Sequence, residues 1–433
     1  GTLNIGILAH VDAGKTSLTE RILYTTGVIR SLGSVDKGTT QTDTMELERA
    51  RGITIKSAVV SFQLGNLKVN LIDTPGHADF VAEVERSLRV LDAVVLVVSS
   101  VEGVQPQTRR LAQAIRAAGL PLLIFVNKID RVGARIEPLL DDIALKLKLR
   151  VFPMSAVVDA GTRSAQISPR SLDEPDWRGS LIDALAEANE AVIEEFERTG
   201  GEISASFLEA EFRSQIASRE ITPAFFGSAI TGAGVAELLN GVEALLPVAN
   251  DVDCAPSSGT VFKVTRRPSG ERIVYARLFA GELSVRSRIE VQRAISAEET
   301  DRFDERITAI DRFVNGATVT ADVAQAGDIV CLHGLKRARI GDTIGSRIEY
   351  FDAIAKAFPP PSLESVVRAV NPAQVTKLRS ALEILADQDP LISLRQRNIE
   401  GEISVHLYGE VQKEVIADTL AHEFGVEATF GPS

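Results

Sequence analysis

Lysine, threonine and aspartate stand in this chain at spacings suited to gripping a chain of phosphates. Residues 9–16 read Ala9-His10-Val11-Asp12-Ala13-Gly14-Lys15-Thr16, the phosphate-loop pattern in all but its first glycine, which is Ala9 here. In that pattern the backbone N–H groups of Asp12, Ala13, Gly14, Lys15 and Thr16 point at phosphate oxygens, at the positive start of a helix. Lys15 adds a fixed positive charge near the outer phosphates, and the Thr16 hydroxyl can ligate Mg²⁺; Ser17, next in line, joins the nucleotide-binding candidates. Asp73 closes the apolar run LKVNLI, so its carboxylate falls at a strand end facing the same pocket. A small, hard cation keeps several waters and needs few direct carboxylates, which suits Asp73 as an outer Mg²⁺ anchor. Residues 28–57 are rich in Gly, Thr, Asp and Arg and weakly periodic. They read as a switch loop in which Thr54 completes the Mg²⁺ shell only when a third phosphate is present; the plainer alternative is an ordinary strand threonine. Gly76 has no side chain to keep its N–H from that phosphate.

The base is chosen elsewhere. LLIFVNKID places Asn127, Lys128 and Asp130 at the end of another buried strand. A carboxylate can accept hydrogen bonds from both N1–H and the 2-amino group of guanine. Adenine offers neither donor, and a buried Asp130 left unpaired would cost a few kcal/mol. The expected nucleotide is therefore GTP, with Lys128 along the base plane and Asn127 tying this loop to the phosphate loop. Ser228 and Ala229 are expected to offer backbone N–H groups to the guanine O6. His77 directly follows the switch glycine. Hydrolysis needs a group that positions the attacking water and tolerates charge developing on the phosphate, and histidine can do both. The apolar Val11 and Ile53 flank its expected path and could hold it away until a partner repositions it, giving a slow intrinsic rate.

These residues need rigid elements beneath them. LNIGILA before the phosphate loop is apolar on both faces, as a buried strand is, and SLTERILYTTG after it carries Leu18, Ile22 and Leu23 on one side, as a helix does. Strands and helices alternate to about residue 130, the pattern of a mostly parallel α/β sheet covered on both sides. Nearly a hundred residues separate Asp130 from Ser228, so 151–222 is expected to form an inserted subdomain within a GTPase domain spanning 1–250. From 251 to 357 short alternating runs with turn signals between them predict a β-barrel. FPPPS at 358–362 resists helix and central strand alike. Strand, helix, two strands and helix then predict a ferredoxin-like α+β unit over 358–433, with Val411, Val415, Leu420 and Phe424 as a core stripe.

A chain of 433 residues exceeds what one core usually supports. It has 45% hydrophobic residues and no run of 18 or more apolar ones, the composition of a soluble cytoplasmic protein without a membrane partner. Cys254 and Cys331 form no metal-ligand spacing and read as free thiols. The net charge of −12 disfavours an RNA-rich partner unless basic residues gather on one face. Arg86, Arg89, Arg109, Arg110 and Arg116 are candidates for such a face, as are Arg266, Arg267, Arg286, Arg288 and Arg293; the alternative for each is a solvated surface paired with nearby acids.

AHVDAGKTSL, RGITI, DTPGHADF, VEGVQPQT, FVNKIDR and AGDIVCLHGLKRARIGDT resemble the translational GTPases of the elongation factor G branch. The likeness covers nearly the whole chain and is weakest over 150–222. It is closer still to the tetracycline-resistance ribosomal protection proteins, through GSVDKGTTQTDTMELERARGITI and LYGEVQKEVI. Elongation factor G proper is expected to show a GELHLD-type string where this chain has Gly409-Glu410-Val411-Gln412-Lys413-Glu414. The resemblance implies a monomer that binds the bacterial 70S ribosome, hydrolyses GTP through the histidine that His77 matches when ribosomal RNA triggers it, and dislodges tetracycline. It implies a fourth and a fifth domain after residue 433, so the chain is expected to be a truncated form without the drug-dislodging part. Competing readings are an elongation factor G paralogue, a release-factor GTPase, and a GTP-dependent binding switch that scarcely hydrolyses.

Overall fold

Strands buried on both faces can exist only inside a sheet covered by helices on each side, and Ala93–Ser99 and Leu122–Asn127 are buried at every position. The computed structural model describes residues 1–33, 48, 54–248, 256–295, 299–346, 360–389, 392, 394–396 and 403–432. Ile53, Cys254 and most of the expected switch segment lie outside the described residues. The chain packs as two units, one of Gly1–Thr44, Ala58–Gly76 and Leu91–Ala249, the other of Met45–Ser57, His77–Val90 and Asn250–Ser433.

In the first unit seven strands run in the order 58–64, 67–73, 2–9, 93–99, 122–127, 222–226 and 151–153. Every neighbouring pair is parallel except 58–64 with 67–73, a hairpin turning at Gly65. Parallel pairing brings the carboxyl ends of 2–9, 67–73, 93–99, 122–127 and 222–226 to one edge, where ligands bind in open α/β sheets. Within 151–222 the chain gives an edge strand of this sheet, a short hairpin (Ser155–Val158 with Gln166–Pro169) and helices Pro175–Ala186, Glu190–Thr199 and Ala205–Ala217. Their buried residues, among them Leu185, Val192, Leu208 and Phe212, share one continuous core with Leu3, Val95 and Phe125 of the sheet.

The second unit holds a β-barrel and a ferredoxin-like α+β layer. The barrel's main sheet has eight antiparallel strands between Ser258 and Gly345 around Val264, Val274, Leu278, Val291 and Leu332. The layer has four strands, ordered 394–396, 403–407, 363–369 and 428–430, with helices Val375–Gln388 and Glu410–Phe424 over a core that includes Val405, Leu382 and Leu420. The expected stripe on the last helix is core, divided between two clusters: Leu420 and Phe424 in this one, Val411 and Val415 against Ile55 and Phe80. Cys331 is a free, buried thiol whose burial pushes its pKa up to about 12, so it is chemically quiet. Among the described residues no helix is long and apolar enough to cross a membrane.

The arginines seldom form the basic face considered above. Arg86 is buried and donates to Asp389 at 2.9 Å and Glu83 at 2.7 Å. Arg89 pairs with Glu85, Arg293 with Asp342, Arg267 with Glu271, and Arg266 lies 3.6 Å from Asp387. Arg116 donates to the carbonyls of Leu147 and Lys148, capping the end of helix Glu137–Leu147. Arg109, Arg110, Arg286 and Arg288 are exposed.

Helix Val81–Leu88 is fastened into the second unit by this chemistry. Ser57 Oγ meets Ser87 Oγ at 3.0 Å, and Arg277 donates to the Val90 carbonyl at 2.7 Å. Burial raises the Glu83 pKa, but the charges of Arg86, Lys263 and Lys56 and the hydrogen bond from Arg86 together outweigh it and hold the carboxyl below its ordinary value of 4.5. Its contribution to stability is therefore complete above that value and is lost as pH falls through the depressed one. Arg86→Ala removes the cation from both carboxylates and should destabilise the second unit by about 3 kcal/mol, the lower end for a broken buried pair because Asp389 keeps some access to water. Urea unfolding checks this; a loss within experimental error would mean the two carboxylates are stable without their cation.

Candidate nucleotide site

The phosphate loop leaves the central strand at Ala9 and turns through Asp12 (φ 65°) and Gly14 (φ 91°) into helix Lys15–Thr25. Gly14 is irreplaceable on two counts: its backbone is left-handed, and a Cβ there would lie 2.3 Å from Asn127 Nδ2. No side chain of Gly14 caps this helix, and the opening turn of a helix suits an anion. Lys15 and Asp73 form an ion pair, with Lys15 only 6% exposed and Asp73 fully buried. Thr16 is buried as well, while Ser17 and Val11 are half-buried and Asp12 is exposed. One hydroxyl and one carboxylate, both hard oxygen donors held out of bulk water, form a set that fits Mg²⁺. Gly76 sits where a Cβ would meet the Ala9 carbonyl at 3.3 Å, and its own carbonyl accepts from the Gln107 amide.

Asn127 joins two loops with one carboxamide. Its Nδ2 donates to the Ala13 carbonyl at 2.8 Å, and its Oδ1 accepts the Ala229 N–H at 3.0 Å. The same contact bears on residues 228 and 229. The Ala229 N–H is taken by Asn127, and the Ser228 N–H donates to the Ala233 carbonyl at 2.9 Å, because the loop closes on itself before Gly234. In this arrangement both amides already donate within the protein. Lys128 adopts φ 68° and extends its ammonium to the Asp12 carbonyl and to Glu102 at 3.0 Å. Asp130 Oδ1 is buried and has no hydrogen-bond partner among the described residues. A guanine edge, with two adjacent donors, is chemically suited to such an acceptor.

Three supports were not visible in the motifs. His10 is buried, with Nδ1 3.2 Å from the Thr108 hydroxyl, fixing the phosphate loop to helix Pro106–Ala117. Burial lowers its pKa from 6.5 despite the opposing charge of Glu102, so it is neutral at physiological pH. Arg21 donates to the Ala229 carbonyl at 2.8 Å and to that of Ile230. Glu102 holds Lys128 from 26 positions away. Only His10 carried a signal, since a polar residue buried on an otherwise apolar face must have a partner; Arg21 is half-buried and Glu102 exposed.

Thr54 and His77 belong to the second unit. Thr54 is buried. His77 is half-buried and opens the short 3-10 turn Ala78–Phe80.

The elongation factor Tu GTP-binding domain family matches residues 1–248, and elongation factor G domain III matches 358–432. An oxytetracycline resistance protein from Streptomyces rimosus is 47% identical over all of this chain and 65% of its own length. The tetracycline resistance protein TetM of Streptomyces lividans is 46% identical, over 100% of this chain and 66% of its own, so the chain spans just under two thirds of these relatives. A crystal structure from Thermus thermophilus has a TM-score of 0.85 at 23% identity, over 100% of this chain and 67% of that one, and so shares the fold. With a GTP-binding domain match over more than half its length and tetracycline resistance proteins among its relatives, the chain belongs to the translational GTPases of the elongation factor Tu and G type.

Proposed function

We propose that this chain binds and hydrolyses GTP and is part of a cytoplasmic, monomeric protein that acts on the bacterial 70S ribosome to relieve inhibition by tetracycline. The observation that carries the nucleotide reading is the convergence of Lys15, Asp73, Asn127 and Asp130 at one edge of the sheet. The ribosomal and drug-directed part rests on the relatives, whose names describe tetracycline resistance. Lys15 and the N–H groups of residues 12–16, with that of Gly76, bind the phosphates. Thr16 and Asp73 would hold Mg²⁺, with Thr54 joining in the triphosphate state; the bound ion supplies positive charge to the outer phosphate oxygens. Asp130 reads the base, Lys128 covers it, and Asn127 holds the two loops in register with Ala229 as its anchor. His77 orients the attacking water.

Asp130→Asn tests the base assignment. An amide presents a donor where guanine also presents one, and losing a bond to a charged acceptor costs up to about 3 kcal/mol, or roughly a hundredfold in GTP affinity. A 2-oxo purine nucleotide should gain relative to GTP. Unaltered selectivity would count against two-point recognition.

The whole reading is tested by expressing the full-length protein in a tetracycline-sensitive bacterium across a drug series, and by measuring GTP turnover with and without ribosomes. Raised tolerance with ribosome-stimulated turnover is the expected outcome. Stimulated turnover without tolerance would favour an elongation factor G paralogue, and turnover near zero under both conditions would favour a binding switch.

A further inference from the structure

Helix Glu410–Phe424 begins at Gly409, which has no side chain to cap it. The first N–H groups of a helix lack internal partners, and the cap residue ordinarily lends an oxygen to the third helical one. Here the oxygen comes from 333 positions earlier: Asp79 Oδ2 accepts the Gln412 N–H at 3.2 Å. The Gln412 side chain reaches back to the residue before the cap, its Oε1 accepting the Tyr408 N–H at 2.7 Å, a contact akin to the return arm of a capping box. Glycine at 409 permits the approach, since a Cβ there would lie 2.2 Å from Asp79 Oδ1 and 2.3 Å from its Cγ. Phe80 adds an apolar anchor beside Asp79, packing with Ile55, Val411 and Val415.

The same residue faces His77. The Asp79 backbone N–H donates to His77 Nδ1 at 3.1 Å. A ring nitrogen that accepts carries no proton, so the proton of the neutral ring lies on Nε2. The imidazole also has Asp79 Oδ1 3.5 Å from Nδ1 and the Phe80 ring 5.9 Å away. The 3-10 turn Ala78–Phe80 is held by helix Val81–Leu88 at its far end, and at the His77 end by the contacts of Asp79.

We propose that Asp79 is a positioning residue: by capping the helix at Gly409–Gln412 it locks the turn that presents His77 as its Nε2–H tautomer. The Gly409-to-Gln412 stretch thereby has a task, a seat for Asp79. This inference rests on His77 acting in hydrolysis.

The test reads the tautomer directly. Long-range proton–nitrogen correlation of the ¹⁵N-labelled chain, with His77→Ala identifying one signal among five histidines, should show Nδ1 unprotonated. Gly409→Ala displaces the Asp79 carboxylate without altering residues 77–80, and Asp79→Ala removes it. Both should mix the tautomers and lower ribosome-stimulated kcat about tenfold, as misorientation of a catalytic group does, with GTP affinity unchanged. The double variant should lose no more than either single one. Asp79→Asn, whose amide oxygen can still accept the Gln412 N–H, should retain both tautomer and rate. Unchanged tautomer and rate in Gly409→Ala and Asp79→Ala, beside a large loss in His77→Ala, would overturn the positioning role and leave the catalytic one standing. Normal turnover in His77→Ala would overturn the catalytic reading beneath it.

Discussion

Lys15→Ala is expected to weaken GTP binding roughly a thousandfold and to destabilise the first unit, because removing one partner of a buried ion pair costs about 3–5 kcal/mol. The two effects have different origins. Binding falls because the outer phosphates lose a charge-assisted bond. Stability falls because Asp73, fully buried, keeps its carboxylate without the ammonium that pairs with it. They separate on a second substitution. Asp73→Asn in the Lys15→Ala background removes the uncompensated charge and should restore much of the unfolding free energy, while nucleotide affinity stays low. Titration with a fluorescent guanine nucleotide reads the first effect, and urea unfolding without nucleotide reads the second. Unchanged affinity in Lys15→Ala would refute the phosphate-loop role.

His77→Ala is expected to bind GTP normally and to lose most ribosome-stimulated turnover, by roughly 10²- to 10⁴-fold, the usual worth of a positioned acid–base group. Affinity should survive because the ring packs within its own turn, against Asp79 and Phe80. His77→Gln divides the role further. Glutamine can orient a water but cannot become a cation, so an intermediate rate would show that hydrogen bonding supplies part of the effect and charge the rest. Single-turnover hydrolysis at saturating GTP is the measurement. Turnover near normal in His77→Ala would reassign the catalyst.

What could be read from the chain alone was what is contiguous. Residues 9–16 make a site largely with backbone, so their order nearly determines their geometry, and the parallel sheet follows from runs such as AVVLVVS that must be buried on both faces. Asp73 and Asn127 were legible because each ends such a strand, and Asp130 because it stands in the turn that follows Asn127. Partnerships across long separations were not. Arg86 looks like a solvated helix residue until Asp389, 303 positions on, is found beside it. The Ser228 and Ala229 amides looked available until Asn127 and Ala233 were found to accept from them. Asp79 and Gln412 carry no local sign of each other, since a missing cap at Gly409 is visible in sequence and its distant replacement is not.

The place of the first strand in the sheet has a consequence for synthesis. Residues 2–9 lie third in the strand order, between 67–73 and 93–99. Neither neighbour exists when the apolar LNIGILA segment is made, and its second neighbour is complete only at Ser99. At about 5–20 residues per second, that strand waits roughly 5–20 seconds for its pairing, and longer while the nascent chain clears the exit channel. During that interval it is an unpaired apolar edge, the kind of segment chaperones exist to cover. Slowed translation lengthens the exposure in proportion.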